Sequence, residues 1–473
     1  MNLTNKYLIN PFMKEIKSKD FSSSNNIFKM IIGTTGLGKT YTTFNTYIPH
    51  CFDNEDLDLV LFTYPKTEVY NEEDAFAVEL NTNKKIKVID SPADLDKVFL
   101  YLKNEFKVFL AVTHQKILHK SNKWFIDGVV KQGVKVGWFV DEPHTWLACS
   151  DYRNYKNTQG YHCPTYNASL YKLVSKISAI SPYVFGTTAT PTNEHKHLVE
   201  PFGDMKFNTI NTYPTVNEMI SRSGWIGGEQ YYDLNNTDET ESTFSNFVDI
   251  HVEKNEIFGK RVMMVSCGQR NSKIGFTVKD VLKLLRENLD SSSNLIDNQI
   301  TVLTSDFKGY VNIKKTNFNN GTYQFVYDDV SEQQVIRDLN NPDHPSKFVL
   351  FINKGTCGLN VHCLKSYFSF RATDKKTGTE LNGKPITNQA VQILGRMMRI
   401  WTGESNKDFV KQWGYDLTDY VKSLNTVQKN TLLELNSFDV CVPTNDMWKA
   451  TIKEIRTKFN PSKIDASSWI NNT

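Results

Sequence analysis

The sequence predicts an α/β chain of two parallel-sheet domains in tandem, followed by a mostly helical C-terminal extension. Three observations carry this expectation. At 473 residues the chain is too long for one ordinary hydrophobic core. Its short apolar runs alternate with segments long enough for helices, the pattern of repeated βαβ units. The first such run, Phe28-Lys29-Met30-Ile31-Ile32, opens directly into the glycine-bearing loop Gly33-Thr34-Thr35-Gly36-Leu37-Gly38-Lys39-Thr40.

The first domain is expected over residues 1–195. After the loop, Thr40 to Tyr47 reads as a helix start, and strands are expected at Leu57 to Phe62, Val108 to Val112, Lys135 to Val140 and Tyr183 to Gly186. Beyond Pro191 the pattern changes. Residues 196–240 carry Gly, Pro, Asn and Asp clusters, among them Gly224, Gly227, Gly228 and Asn235-Asn236, and read as connecting structure. The second domain, 196–402 with that linker, opens on a strand from Arg261 to Cys267. A helix follows, whose apolar residues Val278, Val281, Leu282, Leu285 and Leu289 recur at the spacing of one buried face. Further strands are expected at Gln299 to Leu303, Phe348 to Ile352 and Tyr367 to Phe370. Residues 403–473 have a mixed helical pattern, with Trp413, Trp448 and Trp469 but no recognisable motif, and form an extension of unassigned role.

Composition permits packed cores, with 39% hydrophobic and 12% aromatic residues, and leaves a net charge of only +3, so any basic groove is local. The seven cysteines are scattered, with no Cys-x-x-Cys pair, which points to a reducing compartment. His162-Cys163 and Cys357 with His362-Cys363 match no common zinc spacing. The first 27 residues are polar, and no stretch approaches a membrane span, so a cytoplasmic protein, or one inside a host cell if viral, is expected without membrane contact. Abundant Asn and Lys suit an AT-rich bacterial, viral or phage genome.

The loop from Gly33 to Thr40 fits G-x-x-x-x-G-K-[ST], in which glycines let backbone N–H groups turn inward around phosphate oxygens. Lys39 suits the β- and γ-phosphates of ATP, and Thr40, at the first helical turn, suits Mg²⁺. Asp141-Glu142 follows the apolar run Val136 to Val140, which sets two carboxylates at a strand mouth. Asp141 fits the Mg²⁺ shell and Glu142 the polarisation of an attacking water. Downstream, Gln392, Gly395, Arg396 and Arg399 share a helical spacing that puts Gln392, Arg396 and Arg399 on one face. Guanidinium groups there offer forked donors to the charge that spreads over a transferring phosphoryl group.

With these residues in this order, Asp141-Glu142-Pro143-His144 reading Asp-Glu-x-His, the chain resembles the superfamily 2 helicases and translocases from about residue 28 to 401. The resemblance implies two RecA-like domains that close over ATP, with Arg399 as the arginine finger and Arg396 as its partner. Phe62-Thr63-Tyr64-Pro65-Lys66 and Thr113-His114-Gln115-Lys116 resemble strand-end segments that grip a nucleic-acid backbone. Thr188-Ala189-Thr190-Pro191-Thr192 resembles the segment that, with His144, couples hydrolysis to movement. Asn353 to Asn360 resembles the second-domain motif beside the nucleotide and the bound strand, with Gly358 and Asn360 toward the nucleotide and Thr356 toward the strand. Many relatives have Asp where Asn360 stands. The first glutamine of the chain is Gln115, so no adenine-reading glutamine precedes the loop as in DEAD-box RNA helicases. That tilts the resemblance to the DExH and type III restriction-translocase side.

The resulting expectation is an ATP- and Mg²⁺-dependent helicase or translocase, with DNA favoured over RNA and protein partners on the extension. Nucleic-acid contacts fall to Thr63, Lys66, Thr113, Gln115 and Thr356. A motor grips chiefly sugar and phosphate, for which a small net charge suffices. Two alternatives stay open. One is a phage-type packaging ATPase with a fused nuclease, for which Asp306, Asp328 and Asp329 would be the metal carboxylates. The other is a nucleotide-switched scaffold of a transcription or restriction complex.

Overall fold

The computed structural model describes residues 27–33, 39–54, 57–64, 85–89, 94–117, 120–142, 181, 183–188, 206–212, 226–268, 276–291, 296–304, 306–317, 322–352, 361–371, 379–381, 384–386, 388–397, 399, 401–404, 420 and 423–459. The chain divides into two compact units, Met1–Tyr213 and Pro214–Thr473.

Among the described residues the first unit holds seven strands: β1 (Ile27–Gly33), β2 (Leu59–Tyr64), β3 (Ile86–Ile89), β4 (Lys107–Thr113), β5 (Val136–Asp141), β6 (Tyr183–Thr188) and β7 (Lys206–Thr212). They pair in the order β3-β4-β2-β5-β6-β1-β7, and every pairing is parallel. A parallel sheet needs cover on both faces, so its inner strands read as unbroken apolar runs. β2 shows the consequence of the two-residue period. Leu59 and Leu61 join one core cluster with Val98, Phe125 and Val129, while Val60, Phe62 and Tyr64 join the other with Phe44, Ile48 and Phe52.

The cover on the second face starts as α1 (Lys39–Thr42), passes through a π-helical stretch at Thr43–Tyr47 and continues as α2 (Ile48–Asn54). Helices α3 (Leu95–Lys103), the short α4 (His114–Ile117) and α5 (Lys123–Lys131) follow among the described residues of the unit. Residues 206–212 were expected as connecting structure, but β7 pairs with β1 over its whole length. The first unit therefore runs past residue 195.

The second unit carries β8 (Ile226–Tyr232), α6 (Thr237–Phe258), β9 (Val262–Ser266), α7 (Val278–Ser291), β10 (Ile300–Leu303), β11 (Lys308–Asn317), β12 (Thr322–Asp329), α8 (Glu332–Asn340), β13 (Phe348–Phe351) and β14 (Leu364–Ser369). A small hairpin, β15 (Thr379–Leu381) with β16 (Lys384–Ile386), precedes α9 (Asn388–Met397), α10 (Thr426–Asn436), β17 (Phe438–Pro443) and α11 (Asp446–Phe459). Eight strands form one sheet in the order β12-β11-β10-β13-β9-β14-β17-β8. It is parallel from β10 to β8 and ends in the antiparallel β11–β12 ribbon.

The helix expected after the strand beginning at Arg261 is α7, and Val281, Leu282, Leu285 and Leu289 are buried on one core with Met263 and Val265. The extension supplies the expected helices, α10 and α11, and also β17, which enters the sheet between β14 and β8. No helix among the described residues is long and apolar enough to cross a membrane.

A buried polar cluster ties α6 to this sheet. His251 on α6 faces the Ser366 hydroxyl at 2.9 Å and the Asn255 amide at 3.1 Å. Burial first, and the nearby Arg261 charge second, pull the imidazole down to about 3 from its ordinary 6.5. The folded state thus keeps His251 neutral where the unfolded chain takes up a proton. Its contribution to stability is present above pH 6.5 and is lost as pH falls toward 3. Unfolding midpoints of His251→Gln, followed against pH, are expected to fall less steeply than wild type below about pH 6, by up to one proton.

Candidate nucleotide site

Three neighbouring strands of the first sheet bring the sequence motifs to one edge. In the register, Ile32 of β1 pairs with Thr188 of β6, and Thr187 of β6 pairs with Asp141 of β5. Because all three strands are parallel, the start of the glycine loop, the acidic pair and the Thr188 segment leave the sheet on the same side. In open α/β sheets that carboxyl edge is where ligands bind. β2 and β4 end on that edge as well, with Tyr64 paired to Thr113.

Asp141 is buried at the last position of β5, and its carboxylate accepts from the Thr187 hydroxyl at 2.9 Å. Burial and the adjacent Glu142 charge push its carboxyl up to about 7, against the opposing pull of the Thr187 hydrogen bond and of Lys39. Lys39, the first residue of α1, is thus within electrostatic reach of the acidic pair. Glu142 takes a left-handed backbone conformation, φ +47°, which a non-glycine residue adopts rarely and at some cost. Its N–H is held by the Thr187 carbonyl at 2.8 Å. Thr187 therefore grips both members of the pair, one through its side chain and one through its backbone.

His114 is a second support. Its buried ring places Nε2 2.7 Å from the Asp141 carbonyl oxygen, so the ring nitrogen there is the protonated donor. The segment expected to touch nucleic acid is wired in this way to the back of the acidic strand. Motif reading missed Thr187, which adjoins Thr188, and gave His114 no role of its own within the segment Thr113-His114-Gln115-Lys116. What was missing is strand adjacency, for which the sequence carries no local signal.

One expected contact is corrected. Thr63 is fully buried, and its hydroxyl accepts from the Trp138 indole N–H at 3.1 Å. It is a core hydroxyl joining β2 to β5, with no face left for a nucleic acid. Thr113 is partly buried, and its hydroxyl accepts from the Lys116 N–H at 3.3 Å, capping α4. Thr40 lies in α1, Gly33 ends β1, Thr188 ends β6, and Gln115 lies in α4. Thr34, Thr35, Gly36, Leu37, Gly38, Lys66, His144, Thr190, Thr356, Gly358 and Asn360 lie outside the described residues.

In the second unit, α9 carries Gln392 and Arg396 one turn apart. The helix ends at Met397, earlier than the motif spacing implied, so Arg399 sits in the turn beyond it, with its N–H 3.3 Å from the Arg396 carbonyl. The apolar face of α9, Ile393, Leu394 and Met397, anchors it in the core. Arg396 is buried. Burial and the neighbouring Arg396 pull the Arg399 guanidinium down to about 9, which leaves it charged at neutral pH. Among the described residues no group of three or more His, Cys, Asp or Glu is placed to hold a metal ion. Asp328 and Asp329 lie on the edge strand β12, paired with Tyr310 and Gly309.

No family model matches the sequence, and no curated protein is significantly similar to it. Solved structures are similar in fold. The chain folds as two α/β units of the RecA type in tandem. The likeness that carries this is to the DUF1998 helicase MrfA bound to DNA, with a TM-score of 0.52 and 13% identity over 96% of this chain and 48% of that one. The chain therefore spans about half the length of MrfA. Mss116p bound to ssRNA and AMP-PNP aligns with a TM-score of 0.47 and 10% identity, over 97% of this chain and 78% of that one. The ATP-dependent Type ISP restriction-modification enzyme LlaBIII bound to DNA aligns with a TM-score of 0.49 and 12% identity, over 98% of this chain and 33% of that one.

Proposed function

We propose that the chain is an ATP-dependent helicase or translocase of the DExH kind, acting on DNA in preference to RNA. The observation that carries this reading is the register that sets β1, β6 and β5 side by side, so that the strand ends at Gly33, Thr188 and Asp141-Glu142 share one sheet edge. A fold alone hosts many functions, and the reading therefore rests on this site.

The donor set fits a magnesium nucleotide. Asp141 is a buried carboxylate with an unfavourable charge that a cation would relieve, and it lies within reach of Lys39. Thr40 and Asp141 would hold Mg²⁺, which when bound neutralises charge on the phosphates. Lys39 binds the β- and γ-phosphates, and Glu142, fixed by Thr187, orients the attacking water. Arg396 and Arg399 of the second unit meet the charge developing on the γ-phosphate, with Gln392 beside them. Gly358 and Asn360 complete the nucleotide contacts. Lys66, Thr113, Gln115 and Thr356 remain the proposed nucleic-acid contacts, while His144, Thr188 and Thr190 relay hydrolysis to them. MrfA was seen bound to DNA, which agrees with the preference proposed for this chain.

The test is ATP hydrolysis measured alone and with single-stranded DNA, duplex DNA and RNA. Stimulation by DNA is expected. Hydrolysis indifferent to all three would remove the motor assignment, and stimulation by RNA alone would reverse the preference.

A further inference from the structure

We propose that Lys365 and Asn436 are positioning residues for Arg396 and Arg399, and that the C-terminal segment carrying α10 and β17 is the brace that holds the arginine motif. This role rests on the reading of those arginines as the groups that act on ATP.

The last carbonyls of a helix have no donor within it. At the end of α9 a lysine side chain supplies one. Nζ of Lys365, reaching from β14, donates to the Met397 carbonyl at 3.0 Å and to the Arg399 carbonyl. Lys365 is 0% exposed; burial first, then Arg261 and Arg399, work against its charge, with Cys363 alone acting in its favour. A fully buried lysine with no carboxylate partner among the described residues is costly, and an apolar residue would fill a central strand position at less expense. What the lysine provides is the pair of carbonyls it pins, one of them belonging to Arg399 itself.

The same strand position is tied to the C-terminal segment. The carbonyl of Lys365 accepts from Arg261 Nη2 at 3.1 Å. The buried Arg261 guanidinium also donates to the carbonyls of Glu434 at 2.9 Å, Leu435 at 3.2 Å and Ser437 at 2.8 Å, where α10 ends and β17 begins. Asn436 closes a second link. Its Oδ1 accepts from the Trp401 N–H at 2.8 Å, while its Nδ2 donates to the Trp401 carbonyl at 2.8 Å. Only a carboxamide offers a donor and an acceptor in that geometry. The backbone around Arg399 is thus clamped on both sides, at Met397 and Arg399 by Lys365 and at Trp401 by Asn436.

Lys365→Met keeps the length of the side chain and removes its donors; Asn436→Asp is isosteric and turns one hydrogen bond into a repulsion. In each, stimulated turnover is expected to fall on the order of 10- to 100-fold, since a small misplacement of a catalytic group suffices for that, with KM for ATP within about twofold. In an Arg396→Ala/Arg399→Ala background Lys365→Met is expected to cost nothing further, because it acts through the residues already removed. Additive losses, or full turnover in both single variants, would overturn the proposal. Amide hydrogen exchange decides the tether even if wild type proves to have no stimulated ATPase. Exchange across residues 396–401 is expected to quicken in both variants with β9 and β13 still protected, and unchanged exchange there overturns the brace. Should Lys365→Met fail to fold, Asn436→Asp carries the same readouts.

Discussion

Arg399→Ala is expected to lower nucleic-acid-stimulated ATP turnover by about 10³- to 10⁵-fold, the range over which an arginine finger acts, while leaving nucleotide affinity within about threefold. Lys39→Ala is expected to lose both. The difference follows from where each cation sits and when it is needed. Lys39 opens α1 in the same unit as Asp141, on which its charge acts, and on the proposed reading it meets the phosphates in the ground state. Arg399 belongs to the second unit, beyond the end of α9, and stays charged despite burial and the proximity of Arg396. Its guanidinium is suited to charge that spreads over the γ-phosphate only as the bond breaks. Phosphate release in the steady state, beside titration with a fluorescent nucleotide, separates the two. Normal turnover in Arg399→Ala would break the two-unit mechanism, and tight nucleotide binding by Lys39→Ala would break the assignment of the loop.

What the sequence disclosed was local, and what it hid depended on pairing across the chain. The strand, loop and helix around Lys39 are contiguous, and the buried face of α7 repeats within fourteen residues, so both are legible from spacing alone. The stretch 196–240 misled because its strands lie at sheet edges. β7, Lys-Phe-Asn-Thr-Ile-Asn-Thr, is the last strand of the first sheet, and β8 is the last of the second. Neither needs the unbroken apolar run of a central strand. Gly227 and Gly228 read as linker residues, yet they lie in β8 against β17. A Cβ at Gly227 would come within 2.2 Å of the Ser437 hydroxyl, and one at Gly228 within 3.0 Å of the Asp439 carboxylate. They are small because another strand is close. Thr63 misled for the opposite reason, since a threonine at a strand end looks exposed until Trp138 of the neighbouring strand claims its hydroxyl. The grip of Thr187 on Asp141-Glu142 has the same origin, because β5 and β6 are neighbours in the sheet with some forty residues between them in the chain.

Asp141→Asn is expected to stabilise the nucleotide-free protein at alkaline pH while abolishing stimulated turnover. The Asp141 carboxyl is held up to about 7, chiefly by burial and then by Glu142, so the folded state keeps a proton that the unfolded chain gives up near its ordinary value of 3.8. Stability from that retained proton is fully present below about pH 4 and is lost as pH rises through about 7. An asparagine carries no charge at any of these pH values, and its carbonyl can still accept from the Thr187 hydroxyl. The wild-type unfolding midpoint should therefore decline between about pH 4 and pH 7, and the decline should flatten in the variant. At pH 8 the variant should melt higher, by about 2 to 4 °C for each kcal/mol of relieved desolvation. Addition of ATP and Mg²⁺ should reverse the order, because the wild-type carboxylate then gains a counter-charge that the amide lacks. An Asp141→Asn protein that melts below wild type at pH 8 without nucleotide would refute the view that a buried, repelled carboxylate is kept at the end of β5 for the sake of the site and at a cost to the fold.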